Sequence, residues 1–146
     1  MRRLGRIAGA FSLLAMMGAG AAEAPQGAVA ERRAGEHRAG EIMRDLRLDV
    51  LAGRDVVPLA EKAQLVADWA GRLPALFPPG GDQGETNALP AVWSDRAGFA
   101  AKARALDEQA RLLVAAARAG DRAAFAAAYL STAGACAGCH LFFRQH

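Results

Sequence analysis

Residues 121–144 of this chain, DRAAFAAAYLSTAGACAGCHLFFR, decide its fold. Alanine dominates the stretch and β-branched residues are few, and this composition favours an α-helix because such side chains lose little rotamer freedom there. Asp121 is suited to the N-cap position, since its carboxylate can accept from a free backbone N–H of the first turn. We therefore predict a helix that Asp121 caps and that runs through Phe125 and Tyr129 to about Arg144.

Two further helices are predicted in the first half of the chain. Residues 23–34 are expected to be a loose N-terminal lead. A helix over about 31–51 follows, with an apolar stripe on one face and Gly53 as its stop. A second helix over about 58–73 starts at a proline, which suits a first helical turn, and Pro74 ends it.

The third helix is predicted to begin at Ser94 as N-cap, with Asp95 in the first turn, and to end at Gly120. An irregular loop over 77–90, rich in proline and glycine, precedes it. Only a few residues separate the last two helices, so they should pack antiparallel. The chain has 146 residues and 53% hydrophobic residues. These features predict one all-α domain, an antiparallel four-helix bundle.

The N-terminus has the pattern of an export signal. Three arginines come before a short apolar run over residues 7–17 and a stretch of small residues. The run is too short to span a bilayer, so we predict that 1–22 is a cleaved signal peptide and 23–146 the mature domain. Cleavage after Ala22 is preferred to Ala24, which Pro25 follows directly. An uncleaved anchor is the alternative. Export predicts a periplasmic protein, if the source is Gram-negative, with no membrane insertion after signal removal.

Removal of the signal changes the charge balance. The chain has 18 basic and 15 acidic residues, and the signal holds three of the basic residues and none of the acidic ones. The mature chain is therefore formally close to neutral. It has no basic stripe beyond what a solvated helix face carries, so no nucleic-acid partner is predicted.

Cys136 and Cys139 are the only two cysteines in the sequence, and His140 follows at once. C-x-x-C-H is the pattern for covalent attachment of haem c. At about 100° per residue, the three side chains fall within about 100° of arc on one helix face. Two thiols can then bond to the two vinyl groups, and the imidazole can reach the iron. We predict one covalent haem c near the C-terminus, held by both cysteines, with His140 as axial ligand.

Two cysteines at this spacing have three other interpretations. A dithiol redox pair normally lies at a helix N-terminus in a βαβ setting, and this pair lies near the end of a helical chain. A zinc site needs about four ligands, and only His37 and His146 remain to contribute. A disulfide across two intervening residues would constrain almost nothing. Haem attachment is the interpretation that export, pattern and helical context favour together.

The sequence resembles class II cytochrome c, the cytochrome c′ family. The tail from Cys136 to Arg144 fits that family's C-x-x-C-H-x-x-aromatic-Arg ending. Residues 90–95, PAVWSD, resemble the start of its third helix, and Ala119-Gly120-Asp121 its turn into the fourth. The resemblance covers essentially the whole mature chain and is weaker in the first half. It implies a four-helix bundle whose haem site lies close to the C-terminus.

The resemblance also implies roles for residues around the haem. Arg38 would contact a haem propionate from the first helix, and Thr86 or a neighbour would touch one from the middle loop. Arg144, one turn after His140, would place a fixed positive charge near the proximal side. The alternative for Arg38 is a solvated surface arginine. For Arg144 it is a residue that complements the helix dipole.

The family's distal residue lies four positions after the first-helix arginine, which here is Ile42. Ile42 cannot ligate iron, but the next residue is Met43, the only methionine outside the signal. The two lie about 100° apart around the helix, so only one can lie over the iron. The spacing from Arg38 favours Ile42. His37 is a further candidate but is expected at the surface.

The sixth ligand decides between two functions. If Ile42 lies over the iron, the iron would be five-coordinate. The protein would then bind nitric oxide or carbon monoxide, and would transfer electrons in addition. With Met43 as ligand the protein would be a low-spin electron carrier for periplasmic redox partners. A haem-free structural or dithiol protein is a third interpretation. No acid–base pair or nucleophile accompanies the site, so no enzymatic activity is predicted. Family members often dimerise through the first two helices, and Leu48 and Leu51 suit such a contact.

Overall fold

The computed structural model describes residues 23–83 and 85–145. Four long helices account for most of this part, together with the single-turn helix α3 (Ala91–Ser94). The long helices are α1 (Glu23–Leu51), α2 (Ala60–Arg72), α4 (Arg96–Arg118) and α5 (Arg122–Phe143). α1 packs against α2 and α5, and α4 packs against the same two helices. The four therefore close into a bundle, which confirms the predicted all-α, four-helix architecture.

α1 is longer than predicted. It begins at Glu23, so the segment expected to be a loose lead is helical, and it ends at Leu51 as expected. Pro25 is its third residue, and a proline in the first turn removes no helical hydrogen bond because the N–H groups there have no intrahelical acceptor. The alanine-rich sequence that follows has nothing to stop the helix. Proline and glycine in this segment therefore did not mark a boundary.

The other helix ends follow the prediction with small shifts. 3₁₀ turns, Val57–Leu59 and Leu73–Leu76, flank α2, so Pro74 lies inside a tightened turn. The N-cap of α4 is Asp95, one residue later than predicted, and its carboxylate accepts from the backbone N–H of Gly98 at 3.0 Å. Asp121 caps α5 as predicted and accepts from the backbone N–H of Ala124 at 2.9 Å.

The buried side chains form two clusters along the bundle. The first contains Leu46, Leu113 and Phe125, all fully buried. The second contains Phe77, Phe99 and Phe143, whose rings meet edge to face with centroids 4.8 Å and 5.5 Å apart. Edge-to-face pairs add to the free energy gained by burial of the rings. This second cluster lies beside the C-terminal half of α5.

The middle loop is held against the end of α5. The backbone N–H of Leu89 donates to the carbonyl of Phe143 at 2.9 Å, and that of Gln145 donates to the carbonyl of Asn87 at 2.8 Å. The indole N–H of Trp93 donates to the carbonyl of Pro78 at 2.9 Å. The irregular loop is thus placed beside the predicted attachment turn.

In the part of the chain that the structure describes, α5 alone is long and apolar enough to cross a membrane by length and composition. A central helix of a bundle meets the same two criteria. α5 packs against α4 and α1. Its buried residues are Phe125, Thr132 and Phe143.

Candidate haem-binding site

A cavity of about 890 Å³ is lined by α1, α2, α4, α5 and the middle loop. Its volume is within the range of small-molecule and cofactor sites. Three of the predicted site residues line it from α5, Cys136, Cys139 and His140, and Arg144 lines it from the position directly after the helix. The single helical turn predicted to hold a haem therefore faces one cavity.

No disulfide joins Cys136 and Cys139 in the described structure. Burial raises the pKa of the Cys136 thiol to about 11, and the neighbouring Cys139 adds to the rise. Burial also raises the pKa of Cys139, while Lys102 opposes that rise. Dithiol redox pairs depend on a lowered thiol pKa, because the thiolate is the nucleophile. The surroundings of these two thiols therefore disfavour the dithiol interpretation.

The zinc interpretation finds no support in the described residues. Among them, no group of three or more histidine, cysteine, aspartate and glutamate side chains is placed to hold a metal ion. His146 lies outside the described residues. His37 is exposed, and its Nδ1 lies 3.5 Å from a carboxylate oxygen of Glu41 on its own helix.

Arg32 brings a buried positive charge to the cavity wall. Its side chain is 2% exposed, and its guanidinium lies 4.3 Å from the centroid of the Phe77 ring. It donates to Thr86 Oγ1 at 2.7 Å and to the carbonyls of Leu76 and Gly81 at 3.3 Å. These acceptors are neutral, so they leave the charge in place. Burial lowers the pKa of Arg32, and Glu36 opposes that effect.

Glu36 lies one turn after Arg32 and lines the same cavity. The residue is exposed. Desolvation by the surrounding protein nonetheless raises the pKa of its carboxyl group, and Arg32 and Arg144 oppose the rise. Glu36 in turn raises the pKa of Cys139. The carboxyl group is therefore coupled electrostatically to the attachment turn.

Trp69 contributes a donor with no acceptor. Trp69 lines the cavity, and its indole Nε1 is buried and has no hydrogen-bond partner in the described structure. The Nε1 edge of the ring lies against Gly35 of α1, where a Cβ would overlap the indole. A buried donor without a partner costs free energy.

A sequence model described as Cytochrome C′ matches residues 27–144. The chain belongs to the cytochrome c′ family. The cytochrome c′ of Rhodopseudomonas palustris is 32% identical over 151 aligned positions, which cover 97% of this chain and 95% of that protein. The cytochrome c′ of Rubrivivax gelatinosus is 42% identical over 92 residues, which cover 62% of this chain and 71% of that protein.

Solved structures agree with this assignment. The crystal structure of the Rubrivivax gelatinosus cytochrome c′ superimposes with a TM-score of 0.78, at 33% identity, covering 84% of this chain and 98% of that one. A nitric oxide complex of a cytochrome c prime variant from Alcaligenes xylosoxidans has a TM-score of 0.77, at 27% identity, covering 84% and 96%. A carbon monoxide-bound variant of the same protein has a TM-score of 0.76.

The cytochrome c′ family carries one covalent haem c, and the cavity fits this group. Two thiols and an imidazole line it from one helical turn. The buried charge of Arg32 and the hydroxyl of Thr86 suit an anionic edge such as the propionates. The predicted haem c is thus consistent with the thiols, the imidazole and the positive charge that line the cavity.

Two predicted site residues are not on the cavity wall. Arg38 is exposed and does not line the cavity, whereas Arg32, six residues earlier and about 120° around the helix, does. Ile42 is 4% exposed and packs in the first core cluster, so it does not line the cavity either. Met43 does line it. The structure therefore departs from the predicted register of the first helix.

Three residues on the cavity wall, Arg32, Glu36 and Trp69, are not among the predicted site residues. A signal for the first two exists in the sequence, since Arg32, Glu36, Gly40 and Met43 recur at steps of four, four and three. That spacing describes one helix face. This face is narrow and begins with two charged residues. The apolar stripe through Leu46 lies on another face of the same helix and is the more obvious pattern in the sequence.

Proposed function

We propose that this chain is a periplasmic haem c protein that binds small diatomic gases and transfers electrons. Cys136 and Cys139 hold the haem, and His140 is the axial iron ligand. The observation that carries the proposal is that all three side chains line one cavity in a chain of the cytochrome c′ family. When bound, the haem supplies an iron that can exchange an electron or bind a gas molecule.

The chain's own residues orient and enclose that group. Cys136 and Cys139 tie it to α5. Arg32 would neutralise a propionate from α1, and Thr86, which accepts a 2.7 Å hydrogen bond from Arg32, would hold its guanidinium in place from the middle loop. The backbone N–H of Arg144 donates to the carbonyl of His140 at 3.1 Å, which ends α5 directly after the ligand turn. The Arg144 side chain adds a positive charge to the wall.

An open sixth position is favoured over ligation by Met43. Met43 packs against the first core cluster, whereas Cys136 and Cys139 pack against the second. The methionine thus belongs to the end of the cavity away from the attachment turn. The related Alcaligenes xylosoxidans proteins with bound nitric oxide and carbon monoxide support gas binding in this chain as well.

The proposal that the chain is exported rests on the sequence pattern of residues 1–22, which lie outside the described residues. A cleaved signal peptide delivers the chain to the periplasm, where haem is attached and redox partners meet it. A homodimer is proposed through the outer face of α1. Leu48 and Leu51 on that face are 64% and 72% exposed, and a second copy would cover them.

The absorption spectrum of the purified holoprotein tests this proposal. It is recorded oxidised, reduced, and reduced under carbon monoxide, after expression with intact haem-attachment machinery. A high-spin spectrum that shifts readily with carbon monoxide supports an open sixth position. A low-spin spectrum with sharp reduced bands and little response would instead assign the protein to the electron carriers with Met43 as ligand. A colourless mature protein would contradict haem attachment.

A further inference from the structure

Eight residues of α1 line the cavity: Arg32, Arg33, Glu36, His37, Ala39, Gly40, Met43 and Arg44. Four of them, Arg32, Glu36, Gly40 and Met43, follow one another along a single helix face. The position of each along the helix is set by the rise of about 1.5 Å per residue. Arg32 marks one end of this face, where it binds Thr86 of the middle loop. Met43 marks the other end, beside the first core cluster. Glu36 and Gly40 lie between the two ends.

Geometry places Glu36 at the level of the attachment turn. Arg32 binds Thr86 in the loop that is hydrogen-bonded to the C-terminal end of α5, so the first part of α1 lies beside the end of α5. The last part of α1 packs in the first core cluster with the start of α5, so the two helices run antiparallel. Glu36 lies four residues after Arg32, about 6 Å along α1, and the same step back along the chain from Arg144 reaches His140. Glu36 and His140 line the same cavity, so the carboxyl group on α1 lies across it from the turn that presents the imidazole.

The other residues of α1 do not compete for this position. Gly40 has no side chain to offer, and Met43 lies seven residues further on, about 10.5 Å along the axis. Ile42 is buried in the core. His37 lines the cavity, but its side chain is 74% exposed and lies beside Glu41.

We propose that Glu36 is the first-helix side chain that faces the haem iron opposite His140, so that the open side of the haem meets a carboxyl group instead of an apolar residue. This inference rests on the haem-binding function proposed above. A carboxyl group that lines a confined pocket keeps part of its hydration, and an apolar ligand must displace it. Carbon monoxide gains little from the carboxyl group in return. Glu36 therefore weakens the binding of carbon monoxide and selects for ligands that accept or donate hydrogen bonds.

The test uses the full-length holoprotein and its Glu36→Leu and Glu36→Gln variants. Leucine has a similar length without the polar group, and glutamine keeps the shape without the charge. Glu41→Gln is the matched control, since it removes the same charge from the same helix at a position that does not line the cavity. Met43→Leu tests the competing ligand. The readouts are the ferric absorption spectrum and the affinity of the reduced protein for carbon monoxide.

We expect Glu36→Leu to shift the ferric spectrum and to raise carbon monoxide affinity about tenfold. Glu36→Gln should raise it less, and Glu41→Gln and Met43→Leu should bind as the parent does. If Glu36→Leu yields no folded holoprotein, Glu36→Gln against Glu41→Gln decides the question. Unchanged spectra and affinities in the Glu36 variants, or an equal change in Met43→Leu, would overturn the inference. If the parent protein carries covalent haem and binds carbon monoxide while the Glu36 variants are unchanged, the role of Glu36 is contradicted and the proposed function is not.

Discussion

Arg32 Nη2 donates a 2.7 Å hydrogen bond to Thr86 Oγ1, and this bond joins the first helix to the middle loop beside the haem cavity. The same guanidinium donates to two loop carbonyls and covers the Phe77 ring. One buried side chain thus holds a loop that has little regular structure of its own. The loop in turn is held to the end of α5 by backbone hydrogen bonds.

Replacement of Arg32 by alanine is expected to lower the free energy of unfolding by about 2–4 kcal/mol, since several buried acceptors lose a charged donor together. Urea denaturation of the holoprotein measures the change. Arg38→Ala is the control, because Arg38 is exposed and should change stability by no more than about 0.5 kcal/mol. A larger loss in Arg38→Ala than in Arg32→Ala would show that the register described for α1 is incorrect.

Cys136→Ala and Cys139→Ala should each reduce or abolish covalent haem, because one thioether bond is lost in each variant. Haem staining after denaturing electrophoresis measures the covalent fraction. Gly138→Ala lies within the same motif and is the control, since a Cβ there meets no atom within 4 Å. Normal haem c content in either cysteine variant would contradict the proposed attachment.

Gly35→Ala tests the contact between α1 and Trp69. The new methyl group would overlap the indole, so the ring must move and the free energy of unfolding should fall by about 1–3 kcal/mol. Thermal unfolding followed by circular dichroism measures the effect. Gly27→Ala in the same helix has open space around its Cβ and should be neutral or stabilising. Equal effects at both positions would show that Trp69 does not pack as described.

Leu48→Glu combined with Leu51→Glu is expected to convert the proposed dimer to monomers, because two charges would be buried against a second copy without partners. Sedimentation equilibrium of the holoprotein at several concentrations measures the association. Leu130→Glu on α5 is the control, as Leu130 is similarly exposed at 69% but lies on another helix. A parent protein that is monomeric at all concentrations would rule out this interface.

The rotation of the first helix was the main point at which prediction and structure diverged. α1 carries several arginines, and the arginine chosen as reference decides which residue is taken to face the haem. Four residues after Arg38 is Ile42. The arginine of the predicted spacing that lines the cavity is instead Arg32, and four residues after it is Glu36. Ile42 and Leu46 lie on the apolar face of α1, and both are buried. Amphipathicity locates the core face of a helix, but it does not show which of the remaining faces borders a cavity.

The sequence by itself determined the features that depend on neighbours within a few positions. The attachment turn follows from helix geometry over Cys136 to His140, and the Asp121 cap from one local hydrogen bond. Only the tertiary structure decided which distant residues share the cavity wall. Arg32, Trp69 and Thr86 come from three different segments, and their meeting depends on how α1 is rotated against α2 and α5. A shift of one residue along α1 changes the direction of a side chain by about 100° around the helix axis. The packing of the whole bundle decides which residues face the cavity.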